Sequence, residues 1–254
     1  MNDQHYNFWK KQFANFTTVI VANGEVPSSE LSLSILNDKR RIICCDGALQ
    51  KLLSIKILPD IVVGDGDSMD PQMLNCQTNI EYPQSYSVSP CRDDVHIVST
   101  ARHCIVTEGH KIPYHQDCSE EYNDLQKALK YCIANGYDNI LLMGCGGLRE
   151  DHFIANLSIM VMYSEQLRLA MLTEYGMFNV FRVKVTLASF PGMQVSVFSR
   201  NPQTQLTFTG LKYPVSNRSF NWLWEGTLNE AVGDMFTVET DDDASAVIYR
   251  TLGK

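Results

Sequence analysis

The chain has 254 residues, enough for one large domain or two modest ones with proper cores. Its hydrophobic content of 44% and charged content of 20% are those of an ordinary globular protein, and its net charge of −8 argues against nucleic acid as the main partner, since a phosphate backbone calls for a basic face. No apolar run approaches the ~20 residues that span a bilayer, so no membrane partner is expected, and the N-terminal MNDQHYNFWKKQF lacks the apolar core of a secretion signal.

After that polar leader, Thr17-Thr18-Val19-Ile20-Val21 reads as a first strand closing on Ala22-Asn23-Gly24, a βα turn able to face phosphates. Arg41 to Cys45 is a short strand that ends at Asp46-Gly47, and Ala48, Leu49, Leu52 and Leu53 then recur with helical spacing. Pro59-Asp60 breaks that helix, and Ile61-Val62-Val63 forms a buried strand ending in Gly64-Asp65-Gly66-Asp67-Ser68. Two neighbouring parallel strands would thus deliver Asp46, Asp65 and Asp67 to one carboxyl edge, where open α/β sheets bind their ligands. Two carboxylates about 4 Å apart repel by roughly 4 kcal/mol at an effective dielectric near 20. Their convergence therefore asks for protons or a cation, and an all-oxygen set without nearby His or Cys suits Mg²⁺. The competing reading of Gly-Asp-Gly-Asp is a ligand-free polar turn.

Residues 75–120 are punctuated by Pro83, Pro90 and Pro113, and only Val95 to Val98 and Cys104 to Val106 look strand-like. His103, Cys104, His110, His115 and Cys118 crowd this stretch at spacings that match no zinc pattern. The eight cysteines, at 44, 45, 76, 91, 104, 118, 132 and 145, include no CxxC pair. Several sit in apolar patterns, as buried free thiols of a reducing, cytoplasmic protein do, rather than as a disulfide framework.

Asn123-Asp124 opens an amphipathic helix with Leu125, Ala128, Leu129, Cys132 and Ile133 on one face and Gly136 as its stop. On local grounds Asp124 is a carboxylate at the positive end of a helix. Ile140 to Met143 is the next strand, running into the loop Gly144 to His152, with a helix from Phe153 to about Ser164. A glycine-rich loop ahead of a helix can hold an anion, although neither GxGxxG nor the Walker pattern is present. Arg149 is suited to a two-pronged clamp on phosphate, whereas Asp151 and His152 read equally as caps or as acid–base groups.

From Arg168 the texture changes, with Phe181, Val183, Val185 and Leu187 alternating with polar residues. Short strands follow at Gln194 to Phe198, Gln205 to Phe208, Met235 to Val238 and Ala246 to Tyr249, a spacing that suggests an antiparallel sandwich. The expected class is α/β. Residues 1–166 would form a Rossmann-like, mostly parallel sheet with helices on both faces, and residues 167–254 a smaller all-β sandwich domain. Between the late strands, residues 211–230 form a loop whose Trp222 and Trp224 either turn inward or offer a stacking surface for a heteroaromatic cation.

In order, these motifs resemble the thiamin pyrophosphokinase (thiamine diphosphokinase) family. The resemblance rests on Cys45-Asp46-Gly47, Gly64 to Ser68, Asn123 to Leu129, Arg149-Glu150-Asp151-His152 with Asn156, Gly210 to Pro214, and Gly226 to Glu230, and it spans nearly the whole chain. It implies a transferase that moves the pyrophosphoryl group of ATP to the hydroxyethyl oxygen of thiamin, releasing AMP. It further implies one or two Mg²⁺ held by Asp46, Asp65, Asp67 and Asp124, and ATP contacts from Ser68, Arg149, His152 and Asn156. Asp151 would take the alcohol proton or position a substrate. Trp222, Trp224, Thr227 and Asn229 would face thiamin, in a homodimer whose site lies between subunits. The departures are Ala48-Leu49-Gln50, Leu148 and Leu228, where the family carries Gly-Ala-Asn, a glycine and a serine. Two rival readings are pyrophosphoryl transfer to another small alcohol such as a pterin, and a non-catalytic protein that binds nucleotide or thiamin diphosphate.

Overall fold

Successive strand residues face opposite sides of a sheet, so a strand that is apolar on both sides must be covered on both. The central strands of this chain meet that condition, and the helices divide between the two faces. The computed structural model describes residues 1–26, 28–69, 76–77, 103–107, 110–241 and 245–253. From the N-terminus, α1 (Asp3–Phe13) leads to β1 (Thr18–Val21), α2 (Glu30–Leu36), β2 (Arg41–Cys45), α3 (Leu49–Ser54) and β3 (Ile61–Gly64). Next come β4 (Cys76–Gln77), β5 (His103–Thr107), β6 (His110–Gln116), α4 (Asp124–Ala134), β7 (Asn139–Met143), α5 (Glu150–Tyr163) and β8 (Arg168–Leu172). The remainder is β9 (Gly176–Arg182), β10 (Lys184–Ala188), β11 (Gln194–Ser199), β12 (Leu206–Thr209), β13 (Val215–Arg218), β14 (Asn229–Glu230), β15 (Met235–Thr240) and β16 (Ser245–Thr251).

The strands β8-β7-β1-β2-β3-β6 run parallel at the centre of a 12-stranded sheet. Antiparallel β5 and β4 flank it on one side, and antiparallel β9, β16, β11 and β14 on the other. Val19 and Val21 pack with Trp9 and Phe13 of α1, Leu31 and Ile35 of α2 and Leu49 and Leu52 of α3. Ile20 and Ile43 pack on the other side with Leu125 and Leu129 of α4 and Ile159 and Met160 of α5. A second sheet, β10-β15-β12-β13, closes the sandwich, with Phe208, Phe236 and Val238 buried in the same core as Val195, Val197 and Ile248. The expected mostly parallel sheet with helices on both faces, followed by an antiparallel sandwich, is the fold the chain adopts.

Several local expectations change. The polar leader is the helix α1, capped by Asn2, whose side chain accepts the His5 N–H at 2.8 Å, and it buries Trp9 and Phe13. The alternation from Phe181 to Leu187 belongs to two strands in different sheets, split at Val183, whose φ of 62° turns the chain from one sheet to the other. Pro113 lies within β6, which pairs with β3 only from Tyr114 onward, so its missing N–H is not needed on that side. Ile133 is exposed rather than on the buried face of α4. Cys44, Cys45, Cys132 and Cys145 are buried free thiols, as expected, whereas Cys118 is disulfide-bonded. The strand expected at Val95 to Val98 lies outside the described residues. No helix among the described residues is long and apolar enough to cross a membrane.

Candidate active site

Strands β2 and β3 end side by side, and the acidic residues that follow them meet there. Asp46, directly after β2, is only 1% exposed and accepts the N–H groups of Gly47 at 2.6 Å and Gly66 at 2.9 Å. Gly64 closes β3 against it; a Cβ at that position would collide with the Asp46 carboxyl. In the following loop Asp65 accepts the Asp67 N–H at 3.1 Å, and Ser68 Oγ donates to Asp67 at 2.9 Å. One oxygen from each of Asp46, Asp65 and Asp67 lies within 4.8 Å of the others.

A fourth carboxylate comes from α4. Asn123 caps that helix reciprocally with Gln126, and Asp124 is its first residue. Lys127, one turn on and buried, reaches Asp65 at 2.6 Å and Asp124 at 3.6 Å. The sequence hinted at this lysine through its i+3 spacing from Asp124, but a lone Lys in a helix gives no sign of burial.

Burial, reinforced by the charges of Asp124 and Asp65 and opposed by the two backbone hydrogen bonds, pushes Asp46 up to about 6. Asp124 is raised as well, by burial first, with Lys127 working against it. Burial also acts to raise Asp65, but the hydrogen bonds from Lys127 and Asp67 outweigh it and hold the carboxyl below its ordinary range. Burial works to lower Lys127, while Asp65 and Asp124 keep it above its ordinary value. Among the described residues, Lys127 is the one ammonium paired within this group, and it reaches only Asp65 and Asp124.

The adjacent strand ends, of β1 and β7, carry the glycine loop. Gly24 donates to Gly144 and Glu25 to Gly146, both at 2.7 Å, so the two loops interlock. Gly144 has φ 66° and would drive any Cβ into the Ala22 carbonyl, which only glycine avoids. Asn156 donates to the Cys145 carbonyl at 2.8 Å and pins α5 to the loop. At the start of α5 Arg149 and Asp151 form an exposed two-pronged pair at 3.1 and 2.5 Å, and Asp151 accepts the His152 N–H at 3.0 Å. Arg149 holds Asp151 down at about 2.

The sandwich residues form a separate group. Trp222 and Trp224 are 68% and 71% exposed, so they do not turn inward, and Thr227 donates to the Trp224 carbonyl at 2.7 Å. Asn229 is buried, and its side chain holds the Tyr213 backbone, accepting at 3.0 Å and donating at 2.8 Å. Leu228 stands out from the surface with φ 60°. Among the described residues, no hydrogen bond links this group to the carboxylates. Ala48 and Leu49, where the chain departs from the family pattern, are core residues of the first helical turn.

A parallel sheet edge that presents clustered carboxylates beside a glycine loop, continued into a β sandwich, defines an α/β protein with a ligand site at the carboxyl ends of its strands. The profile of the thiamin pyrophosphokinase catalytic domain matches residues 33–171, and that of the thiamin pyrophosphokinase substrate-binding domain matches residues 176–249. The chain belongs to the thiamin pyrophosphokinase family and is an enzyme of the transferase class. Its fold is similar to that of thiamine pyrophosphokinase from Bacillus subtilis, with a TM-score of 0.68 at 18% identity over 93% of this chain and 99% of that one. Thiamin pyrophosphokinase from Candida albicans gives 0.67 at 16% identity over 93% and 89%, and the yeast enzyme 0.63 at 14% over 95% and 88%. A search of curated protein sequences finds no match.

Proposed function

We propose that the protein transfers the pyrophosphoryl group of ATP to the hydroxyethyl oxygen of thiamin, with Asp46, Asp65, Asp67 and Asp124 holding Mg²⁺. The observation that carries the residue assignment is the convergence of three carboxylates within 4.8 Å beside a fourth. The donors are all oxygen, and the like charges of Asp124 and Asp65 add to burial in raising Asp46; both fit a hard divalent ion. Such an ion would offset the charge of the triphosphate as it builds on the non-bridging oxygens.

The alcohol oxygen bonds to the β-phosphorus while the bond from that phosphorus to the oxygen of the α-phosphate breaks, so that AMP departs with that oxygen and the alcohol proton passes to solvent water. Arg149 contacts the phosphates, and Ser68, His152 and Asn156 line the same edge. A carboxyl held at about 2 is a poor proton acceptor, which favours Asp151 as the residue that orients Arg149. Trp222 and Trp224 stack on the rings of thiamin, with Thr227 beside them and Asn229 fixing the loop. We assign ATP and metal to residues 1–166 and thiamin to residues 167–254.

Exposed apolar residues support a homodimer with the site between subunits: Trp222, Trp224 and Leu228 on the sandwich, and Leu148, Ile154 and Met162 at α5. Among the described residues, the buried free thiols of Cys44, Cys45, Cys132 and Cys145 support a cytoplasmic setting, against the single disulfide-bonded Cys118. The test is AMP release from ATP in the presence of thiamin and Mg²⁺. Release is expected from the native chain and should vanish in Asp65→Asn and Asp67→Asn with the circular dichroism unchanged. Near-normal release from both variants would refute the metal assignment. Release with a pterin alcohol but not thiamin would change the substrate, and none with either would make the protein a binder.

A further inference from the structure

We infer that the cleft between α1, the α5–β8 junction and strands β9 and β10 is a second ligand site, built for a small organic anion with an apolar body. The cleft measures about 610 Å³ and is lined by Asn15 and Phe16, which precede β1, and by Leu167 and Arg168 at the start of β8. Parallel strands begin on one edge of a sheet and end on the other, so this cleft lies on the edge away from the carboxylates that follow β2 and β3. It is distinct from the catalytic edge.

Its charge is opposite to that of the whole chain. Arg250 lies at the floor, 1% exposed, with Nη1 donating to the Ala188 carbonyl at 2.8 Å and Nη2 to Asn179 Oδ1 at 3.0 Å. Its Nε has no hydrogen-bond partner, and among the described residues no carboxylate pairs with it. The Trp9 ring lies 5.0 Å from the guanidinium and offers only its π face. Burial alone lowers the basicity of Arg250 to about 10, with no anion to restore it. Lys11 and Arg168, both exposed and both lining the cleft, also have no ion-pair partner among the described residues; Glu165, the one acidic residue of the lining, is taken by Arg182 at 3.2 Å.

A buried guanidinium without a counter-ion is unusual, because buried charges are ordinarily paired. Here the missing partner would come from outside the chain. Leu169, Phe181, Val185 and Leu187 supply apolar wall, so a bare inorganic ion would leave most of the cleft unfilled. The ligand class is therefore an organic carboxylate or phosphate whose charged head meets Arg250, Lys11 and Arg168 while its body covers the wall.

Isothermal titration of the full-length chain with octanoate and with 1-octanol tests this. Octanoate should bind one per chain, and 1-octanol, of equal length but uncharged, at least tenfold more weakly. The double variant Lys11→Glu/Arg168→Glu, which alters two exposed side chains and leaves the core intact, should weaken octanoate about tenfold and keep cooperative thermal unfolding. Asp65→Asn should bind octanoate as the native chain does, even where its AMP release is lost. Equal binding of acid and alcohol, no binding of octanoate, or an affinity unchanged in the double variant would overturn the assignment.

Discussion

At the scale of the residue, Asp46 is the most buried carboxylate of the acidic edge. Its carboxyl ordinarily ionises near 3.8 and in the folded chain holds its proton up to about 6, chiefly through burial. Between those values the native state binds more protons than the unfolded one, so stability contributed at low pH is lost as pH rises from about 4 to about 6, and stays lost above. Thermal unfolding with EDTA should show that decline, and Asp46→Asn, which keeps one of the two oxygens that accept backbone N–H groups, should remove it. A slope that survives in the variant would place the titration elsewhere. Mg²⁺ should act in the opposite sense, raising the unfolding temperature at pH 7.5 and losing the effect as the proton competes below about 6. Asp46, Asp65 and Asp67 were legible in sequence because each follows a short apolar strand, whereas Asp124 reads locally as a carboxylate at a helix start. Lys127 was not, because its burial is a product of α4 packing over β3 and cannot be seen in spacing alone.

At the scale of the element, the precision of the acidic pocket rests on one capped helix and one close glycine. Removing the reciprocal cap with Asn123→Ala should cost about 1 kcal/mol, read as a lower urea midpoint, and should loosen Asp124 as the first residue of the helix. Gly64→Ala places a methyl where the Asp46 carboxyl sits, at a backbone that would otherwise accept alanine. It should abolish AMP release while the protein remains folded; normal turnover would show that Asp46 can move without consequence. The βα units and α4 were readable because hydrophobic period and turn residues agree there. The helix α1 was missed because Trp9 and Phe13 are sparse apolar residues in a polar run, and what fixes them is distant, the Trp9 indole donating to the Leu252 carbonyl at 3.2 Å. The break at Val183 was hidden for a similar reason: the period of two continues unchanged through a left-handed corner that only tertiary structure reveals.

At the scale of the whole molecule, the carboxylates and the exposed tryptophans occupy separate parts of one chain, and a site shared across a dimer would bring them together. Asp65→Asn and Trp224→Ala should each be inactive alone. Mixed after mild dissociation, they should recover about a quarter of native activity, since half of the dimers would be hybrids with one intact site of two. No recovery from a confirmed dimer would mean that each chain builds its own site. The succession of a mostly parallel sheet and an antiparallel sandwich was legible from the change of period, but β8 at Arg168–Leu172 still pairs parallel with β7. The continuity of one 12-stranded sheet was not legible, because strand order is set by pairing and not by local pattern.

The proposed function depends on Asp46, Asp65, Asp67 and Asp124 gripping a divalent ion together with the polyphosphate. Electron paramagnetic resonance of Mn²⁺ titrated with protein and a non-hydrolysable ATP analogue measures that directly. The native chain should sequester the ion, and the folded double variant Asp65→Asn/Asp67→Asn should leave it free in solution; equal sequestration by both would contradict the assignment.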